Sequence, residues 1–145
     1  RLGPARLAHC MRWIGQAEIA LDMMVARSLE RYSHGSLLAE KQGIQWLIAD
    51  SAMELYQGKL MVLHAAFKID RGDDFRTEVS MAKWWTTDLQ KRLTAECLQL
   101  HGGYGFMLEY PISTDYADAA VQSIYAGTNE IMKRIIARNL GLDLT

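Results

Sequence analysis

The chain has 145 residues, half of them hydrophobic and 23% charged, which is the composition of one globular domain rather than of a disordered segment. Its formal net charge of -1 gives no electrostatic reason to expect a nucleic acid or an anionic membrane surface as a partner. Two cysteines are too few for a disulfide framework, so Cys10 and Cys97 are predicted to be reduced core residues, as in the cytoplasm or the mitochondrial matrix.

The first predicted element is a helix over about residues 4–31, with Pro4 in its first turn, where a missing N–H is harmless. Residues 33–36 break the pattern and predict a turn to an antiparallel neighbour. The apolar residues of this helix recur at three- and four-residue steps and form one stripe: Leu7, Met11, Ile14, Ala17, Leu21, Met24, Val25 and Leu29.

A second stripe predicts a helix over about residues 44–71, and a third predicts one over about residues 79–101. Gly102 and Gly103 end the third helix, because glycine readily adopts the left-handed conformation past a helix C-terminus. A connection rich in glycine and aromatic residues follows at residues 104–111. A shorter helix is predicted at about 114–123, and a last one from 128 to about 139 that buries Ile131 and Ile135.

Three long amphipathic helices plus shorter ones, without strand-like alternation, predict an all-α fold, a bundle of antiparallel helices, in one domain over residues 1–145. Trp46, Trp84 and Trp85 are assigned to packing, in the core or at an interface. No apolar run reaches about 18 residues, so we expect no membrane insertion. The chain begins with Arg1 rather than methionine, which is expected of a fragment of a longer protein, of an incomplete sequence or of a processed chain.

Several kinds of site are absent from the sequence. A di-iron bundle needs Glu-x-x-His on two helices, and that motif does not occur. The sequence also lacks paired Cys-x-x-Cys motifs, a Walker loop and a Gly-x-Gly-x-x-Gly turn between a strand and a helix. We therefore predict no metal site. The four histidines are scattered, and each is more typical of a surface or satisfied core position than of catalysis.

Two segments stand out for their chemistry. In residues 99–106, three glycines beside aromatic residues let the backbone approach a flat or anionic group, although a helix cap and a tight turn explain the same pattern. In residues 124–131, free backbone N–H groups open a helix, a place that favours negative charge on a ligand oxygen. Taken by itself, the segment is better explained as a capped helix start.

Together these segments resemble the acyl-CoA dehydrogenase family. Gln-x-x-Gly-Gly-x-Gly-Phe at residues 99–106 is followed by Glu-Tyr-Pro at 109–111, aspartates at 115–118, Tyr-x-Gly-Thr-Asn-Glu-Ile at 125–131 and Ile-Ile-Ala-Arg at 135–138, in the family order. Residues 30–35, with Gln42 downstream, resemble the family pattern Glu-Arg-x-x-Phe-Gly…Gln, with His34 in place of phenylalanine. The resemblance runs from about residue 2 to residue 138.

The resemblance implies an antiparallel four-helix bundle, the C-terminal domain of a flavoprotein. In the family this bundle follows an N-terminal helical domain and a middle β domain, which this chain lacks. It implies FAD at a subunit interface, a homo-oligomer (a dimer or a tetramer), an electron-transfer flavoprotein as partner, and a place in fatty acid metabolism. In this family Arg31 and Ser33 correspond to contacts with the FAD pyrophosphate of the partner subunit. The cofactor residues implied in full are Arg31, Ser33, Gln42, Gln99, Gly102, Gly103, Thr128 and Glu130.

The family oxidises an acyl-CoA thioester to the 2,3-enoyl-CoA, by loss of the pro-R α-proton and transfer of a hydride from the β-carbon to flavin. Loss of a weakly acidic proton needs a base and polarisation of the thioester carbonyl. The resemblance implies that the backbone N–H of Ala126 is a donor to that carbonyl. It also implies substrate contacts at Arg6, near the CoA moiety, and at Tyr125 and Gly127.

Both positions where the family carries its catalytic glutamate hold alanine here, namely Ala126 and Ala5. Three explanations stay open: a base elsewhere, such as Glu18 or Glu130; a subunit that binds flavin or partners without this chemistry; or an engineered change at Ala126. The alternative from another functional class is a non-catalytic helical module that helps to assemble an oligomer. We predict that the isolated chain is inactive, because most of the cofactor's surroundings are missing.

Overall fold

The computed structural model describes residues 2–142 and confirms the predicted all-α fold. Within residues 2–142, six helices and one two-stranded ribbon follow one another. They are α1 (Leu2–Glu30), β1 (Tyr32–Ser33), β2 (Ser36–Leu37), a 3-10 turn (Leu38–Glu40), α2 (Gln42–Asp70), α3 (Arg76–His101), α4 (Gly103–Phe106), α5 (Pro111–Val121) and α6 (Asn129–Asn139).

The three long helices form an up-down-up arrangement. Ser51, in the first half of α2, donates to Glu96 near the end of α3 at 3.2 Å. Lys68, near the end of α2, donates to Glu78 near the start of α3 at 2.7 Å. The two helices are therefore antiparallel, as short connections require of neighbouring helices in a bundle.

The fourth member of the bundle is broken into α5 and α6. The ring of Tyr110, just before α5, lies 6.2 Å from that of His101 at the end of α3. Asn129, which begins α6, bonds to Lys83 near the start of α3. The two short helices thus run back along α3, and the turn between them lies over the first half of that helix.

The buried face of α1 differs from the predicted stripe. Met11, Val25 and Leu29 are 58%, 39% and 60% exposed, so their assignment to the core is wrong. Cys10 and Trp13 are buried in their place. Over 29 residues two neighbouring apolar rows both satisfy a three- and four-residue step, and only the positions of α2 and α3 decide which row is covered.

Helix α3 lies at the centre and buries polar side chains along its length. Thr86 and Thr94 are buried, and each donates to the carbonyl of the residue four positions earlier, at 2.7 and 2.8 Å. These hydroxyls are satisfied within their own helix, so they can sit in the core. Cys10 and Cys97 are buried and free of disulfide bonds, as predicted.

The turn predicted at residues 33–36 is a hairpin with a two-residue loop. Tyr32 pairs with Leu37 and Ser33 with Ser36. His34 and Gly35 have φ of 51° and 82°, which is the pattern of a type I′ loop. The predicted turn is confirmed; the strands beside it were not predicted, because two-residue strands are too short to show alternation.

The later elements shift by a few residues from their predicted bounds. The connection at 104–111 contains α4, and α5 begins at Pro111 rather than near residue 114. Ile131 is 45% exposed, so its predicted burial is wrong; Met132 is fully buried next to it, and Ile135 is partly buried.

Trp46 is 61% exposed and lies outside the core, so of its two assigned places only an interface stays open. Trp84 and Trp85 are partly buried on α3, in accord with their assignment to packing. Between residues 2 and 142, no helix has the length and apolar content that a membrane span requires.

Candidate functional site

The turn between α5 and α6, residues 122–128, is sharply bent. Ala126 and Gly127 both have left-handed backbone conformations, with φ of 57° and 99°. A Cβ on Gly127 would lie 2.9 Å from Met132 Cε and 3.0 Å from Arg6 Nη2, which are the ends of flexible side chains, so the positive φ is the stronger reason for glycine there. In the part of the chain that the structure describes, the N–H of Ala126 has no hydrogen-bond acceptor. This donor is free for a ligand.

Helix α1 supplies the wall beside this turn. Arg6 Nε donates to the carbonyl oxygen of Ala126 at 2.7 Å. The ring of Tyr125 stands edge-on to those of His9 and Trp13, at 5.2 and 6.0 Å between centroids. The structure thus brings together Arg6, Tyr125 and Gly127, the three residues predicted to contact substrate, whereas Ala5 precedes Arg6 on α1 and is exposed.

A buried polar network lies under the turn, and the sequence analysis missed it. Lys83 has no exposed surface, and its Nζ donates to Asn129 Oδ1 at 2.9 Å. Asn129 Nδ2 in turn donates to Thr87 Oγ1 at 3.0 Å and to Asp88 Oδ1 at 2.9 Å. Lysine is rarely buried in full, so sequence patterns place it on the surface. Here its partner is 46 residues away in the chain.

Burial shifts the pKa of two groups in this network. Desolvation lowers the pKa of Lys83 from 10.5 to about 8, although Cys10 and Asp88 favour its charged form. Desolvation raises the pKa of the Cys10 thiol from 9.0 to about 11, against the hydrogen bond from Thr86 and the charge of Lys83. Both shifts favour the neutral form, as expected where water is excluded.

The lowered pKa of Lys83 has a measurable consequence in alkaline solution. Between pH 8 and 10.5 the unfolded chain holds the Lys83 proton and the native state releases it, so this group makes the free energy of unfolding rise with pH. We expect the wild-type protein to gain about 1–3 kcal/mol over this range relative to Lys83→Met. Urea unfolding of both proteins at a series of pH values measures the difference.

The wild-type protein has to be compared with Lys83→Met, because the two buried thiols change the free energy of unfolding with pH in the opposite direction. The pKa of Cys97 is raised by burial to about 12, so Cys10 and Cys97 both make the native state lose stability as pH rises above 9. Both proteins contain these cysteines. Arg6, Lys91 and Glu130 also face Lys83 and are common to both. Parallel stability curves would contradict a neutral Lys83 in the native state at high pH.

A second candidate site is a groove of about 510 Å³ at the other end of the bundle. It brings together five of the residues predicted to contact FAD. Gln42, predicted with them, is exposed at the start of α2 and does not line this groove. The predicted residues that line it are Arg31, Ser33, Gln99, Gly102 and Gly103.

Arg27 also lines this groove, and the sequence analysis did not identify it. Its guanidinium lies 5.2 Å over the ring of Tyr104, which stacks on Tyr110 at 5.1 Å and 8°. Its Nε is buried and has no hydrogen-bond partner among residues 2–142. A buried donor without a partner is costly, so it points to an acceptor supplied by a ligand. No local pattern identifies Arg27, because its ring contact is with Tyr104, 77 positions further along the chain.

Thr128 and Glu130 lie with the turn, not in the groove. Lys83, beneath the turn, and Gln99, in the groove, are sixteen residues apart on α3, which is about 24 Å along the helix. The predicted cofactor residues therefore form two surfaces. Thr128 caps α6 by accepting from the N–H of Ile131 at 3.4 Å. The pKa of Glu130 is lowered, because its carboxylate accepts from its own backbone N–H and from the Thr128 hydroxyl.

Neither carboxylate proposed as an alternative base is well placed for that role. Glu18 is bound to Lys59 at 2.5 Å and lies twelve residues beyond Arg6 on α1, about 18 Å along the helix. Glu130 is next to the turn, but its lowered pKa makes it a weaker base. The structure does not bring Glu18 to the turn, and it gives Glu130 hydrogen bonds that suit a binding role.

Comparison with known proteins gives consistent matches. A family model described as acyl-CoA dehydrogenase, C-terminal domain, matches residues 1–141. Acryloyl-CoA reductase (NADH) of Anaerotignum propionicum is 40% identical over 96% of this chain and 35% of its own length. The caffeyl-CoA reductase-Etf complex subunit CarC of Acetobacterium woodii is 35% identical over 94% of this chain and 36% of its own length.

A solved structure agrees with these relatives. The crystal structure of acyl-CoA dehydrogenase from Geobacillus kaustophilus has a TM-score of 0.94 and 42% identity, over 99% of this chain and 37% of that one. The chain therefore spans little more than a third of the length of these proteins.

Proposed function

Because the chain belongs to the acyl-CoA dehydrogenase family, as a C-terminal domain, we propose that it serves an FAD-dependent oxidoreductase that converts an acyl-CoA thioester to the 2,3-enoyl-CoA. The proposal includes an N-terminal helical domain and a middle β domain in the same subunit. The single observation that carries it is the turn at residues 122–128, where the N–H of Ala126 is free for a ligand and faces no acceptor within residues 2–142.

The groove at the end of the bundle fits a flavin dinucleotide. Arg27 and Arg31 place two guanidinium groups beside it, and the buried Nε of Arg27 lacks an acceptor among the described residues. Gly102 has φ of 62°, and a Cβ there would meet nothing within 4 Å, so the backbone is open to close approach. Guanidinium groups suit phosphate oxygens because they offer several N–H donors in one plane. A flavin held by this subunit assembly would supply the hydride acceptor.

We expect Arg27→Met to weaken FAD binding about tenfold, because one charge-assisted hydrogen bond to phosphate contributes about 1.5–3 kcal/mol, part of which solvent replaces. Methionine keeps much of the length and apolar volume of the side chain. Fluorescence titration of the flavin-free subunit with FAD measures the change. Arg12→Met, at an exposed position on the same helix outside this groove, is the matched control. If both variants bind FAD with equal affinity, Arg27 does not contribute to FAD binding.

At the turn, this chain's own residues bind and orient the thioester. The N–H of Ala126 donates to the carbonyl oxygen, where negative charge develops as the α-proton is lost. Arg6 holds the carbonyl of Ala126 at 2.7 Å and so fixes the peptide on the other side of that residue. The rings of His9, Trp13 and Tyr125 form the wall beside it. The geometry supports polarisation of a thioester; it supplies no carboxylate at Ala126 or Ala5.

A second candidate function follows from that missing carboxylate. A subunit with this turn and no base would hold flavin and assemble with other copies without oxidising a thioester. The outer face of α2 favours assembly, because exposed apolar residues recur on it at steps of seven, three and four, the spacing with which one helix packs on another. These residues are Trp46, Met53, Tyr56, Leu60, Leu63 and Phe67, which are 48–64% exposed.

Two protein partners belong to the proposal: a second copy of this chain and an electron-transfer flavoprotein. A second copy of the chain covers the apolar face of α2, giving a homodimer or homotetramer. An electron-transfer flavoprotein accepts the electrons, as supported by the relative whose name places it in an Etf complex. A role in fatty acid metabolism, in the bacterial cytoplasm or the mitochondrial matrix, belongs to this proposal. Neither nucleic acid nor membrane insertion forms part of it.

The deciding experiment compares the isolated chain with the complete subunit. We expect the isolated 145 residues neither to retain FAD through gel filtration nor to oxidise an acyl-CoA, because the groove is an open surface. The complete subunit should retain FAD. Dye-linked oxidation of a panel of acyl-CoAs then separates the two candidates: oxidation favours the dehydrogenase, and bound FAD without oxidation favours the assembly role. Flavin absorbance on the isolated chain would contradict the expectation.

A further inference from the structure

The turn that presents the Ala126 N–H is held from below by the side chains of α3. Lys83 donates to Asn129 Oδ1 at 2.9 Å, at the end of the turn. Lys91 donates to the hydroxyl of Ser123, at its beginning. The two lysines are eight residues apart, about 12 Å along α3. The N–H of Asn129 also donates to the Ser123 carbonyl at 3.0 Å, which closes the base of the turn.

Within this arrangement Lys83 is the member with no route to solvent. Its side chain is fully buried, and its ammonium lies 5.8 Å from the Trp13 ring centroid. A buried ammonium is costly unless it is well hydrogen-bonded, so the Asn129 oxygen is held where it satisfies this charge. Asn129 is two residues from Gly127, and α6 begins with it. Any movement of Lys83 is therefore transmitted to the turn.

We propose that Lys83 is a positioning residue, which acts through Asn129 to aim the Ala126 N–H at the thioester carbonyl oxygen. This inference rests on the proposed function, since it assumes that the turn receives a thioester. Lys83 itself touches no substrate, because its side chain is fully buried. Its effect is geometric: a donor preorganised toward developing charge loses most of its value when its direction drifts.

The test reads the carbonyl directly and needs no catalytic base. The complete FAD-loaded subunit is mixed with butyryl-CoA or octanoyl-CoA labelled with ¹³C at the thioester carbonyl. Infrared difference spectroscopy then measures how far binding lowers the carbonyl stretching frequency. We expect Lys83→Met to lose roughly half or more of that lowering. If the subunit oxidises acyl-CoA, we also expect kcat to fall about tenfold to a hundredfold with a smaller change in KM.

Thr94→Val is the matched control. Thr94 is also fully buried on α3, its hydroxyl bonds within the helix at 2.8 Å, and it lies eleven residues from Lys83, about 16 Å along the helix. It should lower stability without changing the carbonyl frequency. Asn129→Ala breaks the same link from the other side and should reproduce the Lys83→Met spectrum, which keeps the proposal testable if one variant does not fold.

The outcomes separate the two ideas. If the wild-type subunit does not lower the carbonyl frequency of either thioester, the proposed function fails. If it does, and Lys83→Met and Asn129→Ala both match Thr94→Val, the turn receives the thioester but Lys83 does not position it. If both variants lose the frequency shift while Thr94→Val keeps it, the positioning role holds.

Discussion

Replacing Ala126 with glutamate is expected to raise the rate of acyl-CoA oxidation by the complete flavin-loaded subunit by about 10²–10⁴-fold. The reason is that the turn already meets the other requirements. The N–H of Ala126 has no acceptor among residues 2–142, and Arg6 Nε fixes the backbone by donating to the Ala126 carbonyl oxygen at 2.7 Å. A positioned general base is the missing element. Ala126 already has φ of 57°, so the substitution adds little backbone strain. Stopped-flow reduction of the flavin by acyl-CoA measures the rate.

Two matched variants make this result specific. Ala126→Gln has the size of the glutamate side chain but no base, and it should remain as slow as the unmodified protein. Ala5→Glu places a carboxylate at the other family position, on α1 beside Arg6. Equal rates for Ala126→Glu and Ala126→Gln, with FAD and acyl-CoA bound, would show that the turn does not orient the α-proton toward residue 126 and would favour the assembly role.

Gly105→Ala is expected to lower the free energy of unfolding by about 3 kcal/mol. Gly105 is buried in α4, and a Cβ there would lie 2.4 Å from the carbonyl oxygen and 3.1 Å from the carbonyl carbon of Leu98. These are backbone atoms in the last turns of α3, so neither can rotate away as a side chain could. The short helix must therefore move off α3, and the groove residues that precede it must move too. Urea unfolding measures the loss.

The two preceding glycines provide graded controls. A Cβ on Gly103 or Gly102 meets nothing within 4 Å, but Gly102 has φ of 62°. Gly103→Ala should change the free energy of unfolding by less than about 0.5 kcal/mol. Gly102→Ala should lower it by about 1–3 kcal/mol through backbone strain alone, because φ of 62° with ψ of -136° suits glycine and not alanine. An order in which Gly105→Ala is as mild as Gly103→Ala would contradict the close approach of α4 to α3.

The comparison of sequence with structure is clearest for the helices. The three- and four-residue spacing predicted all three long helices within a few residues, because that period is a property of the helix itself. It did not predict which of two apolar rows on α1 is buried, since Cys10 and Met11 satisfy the spacing equally. Cys10 is covered and Met11 is 58% exposed because of where α2 and α3 lie.

At the two candidate sites, too, some residues were predicted from the sequence and others became evident only from the structure. Residues 99–106 and 124–131 were recognised from sequence because glycines and a helix start are local features, and the resemblance to a family connected them. Arg27 and Lys83 were not recognised, because each has its meaning only through a contact distant in sequence. Lys83 is a surface residue by its type and a buried one by its position against Trp13 and Asn129.

The sequence by itself thus determined the helical class, the approximate bounds of the long helices, the family and the residues of its two motifs. Tertiary structure alone decided that these motifs lie at separate ends of α3, that Ala126 adopts a left-handed backbone, and that a buried ammonium supports the turn beneath it. The physical reason is the distance along the sequence over which each interaction acts. Helix periodicity and turn residues act over a few positions, whereas burial and hydrogen bonding to a distant partner exist only once the helices have packed.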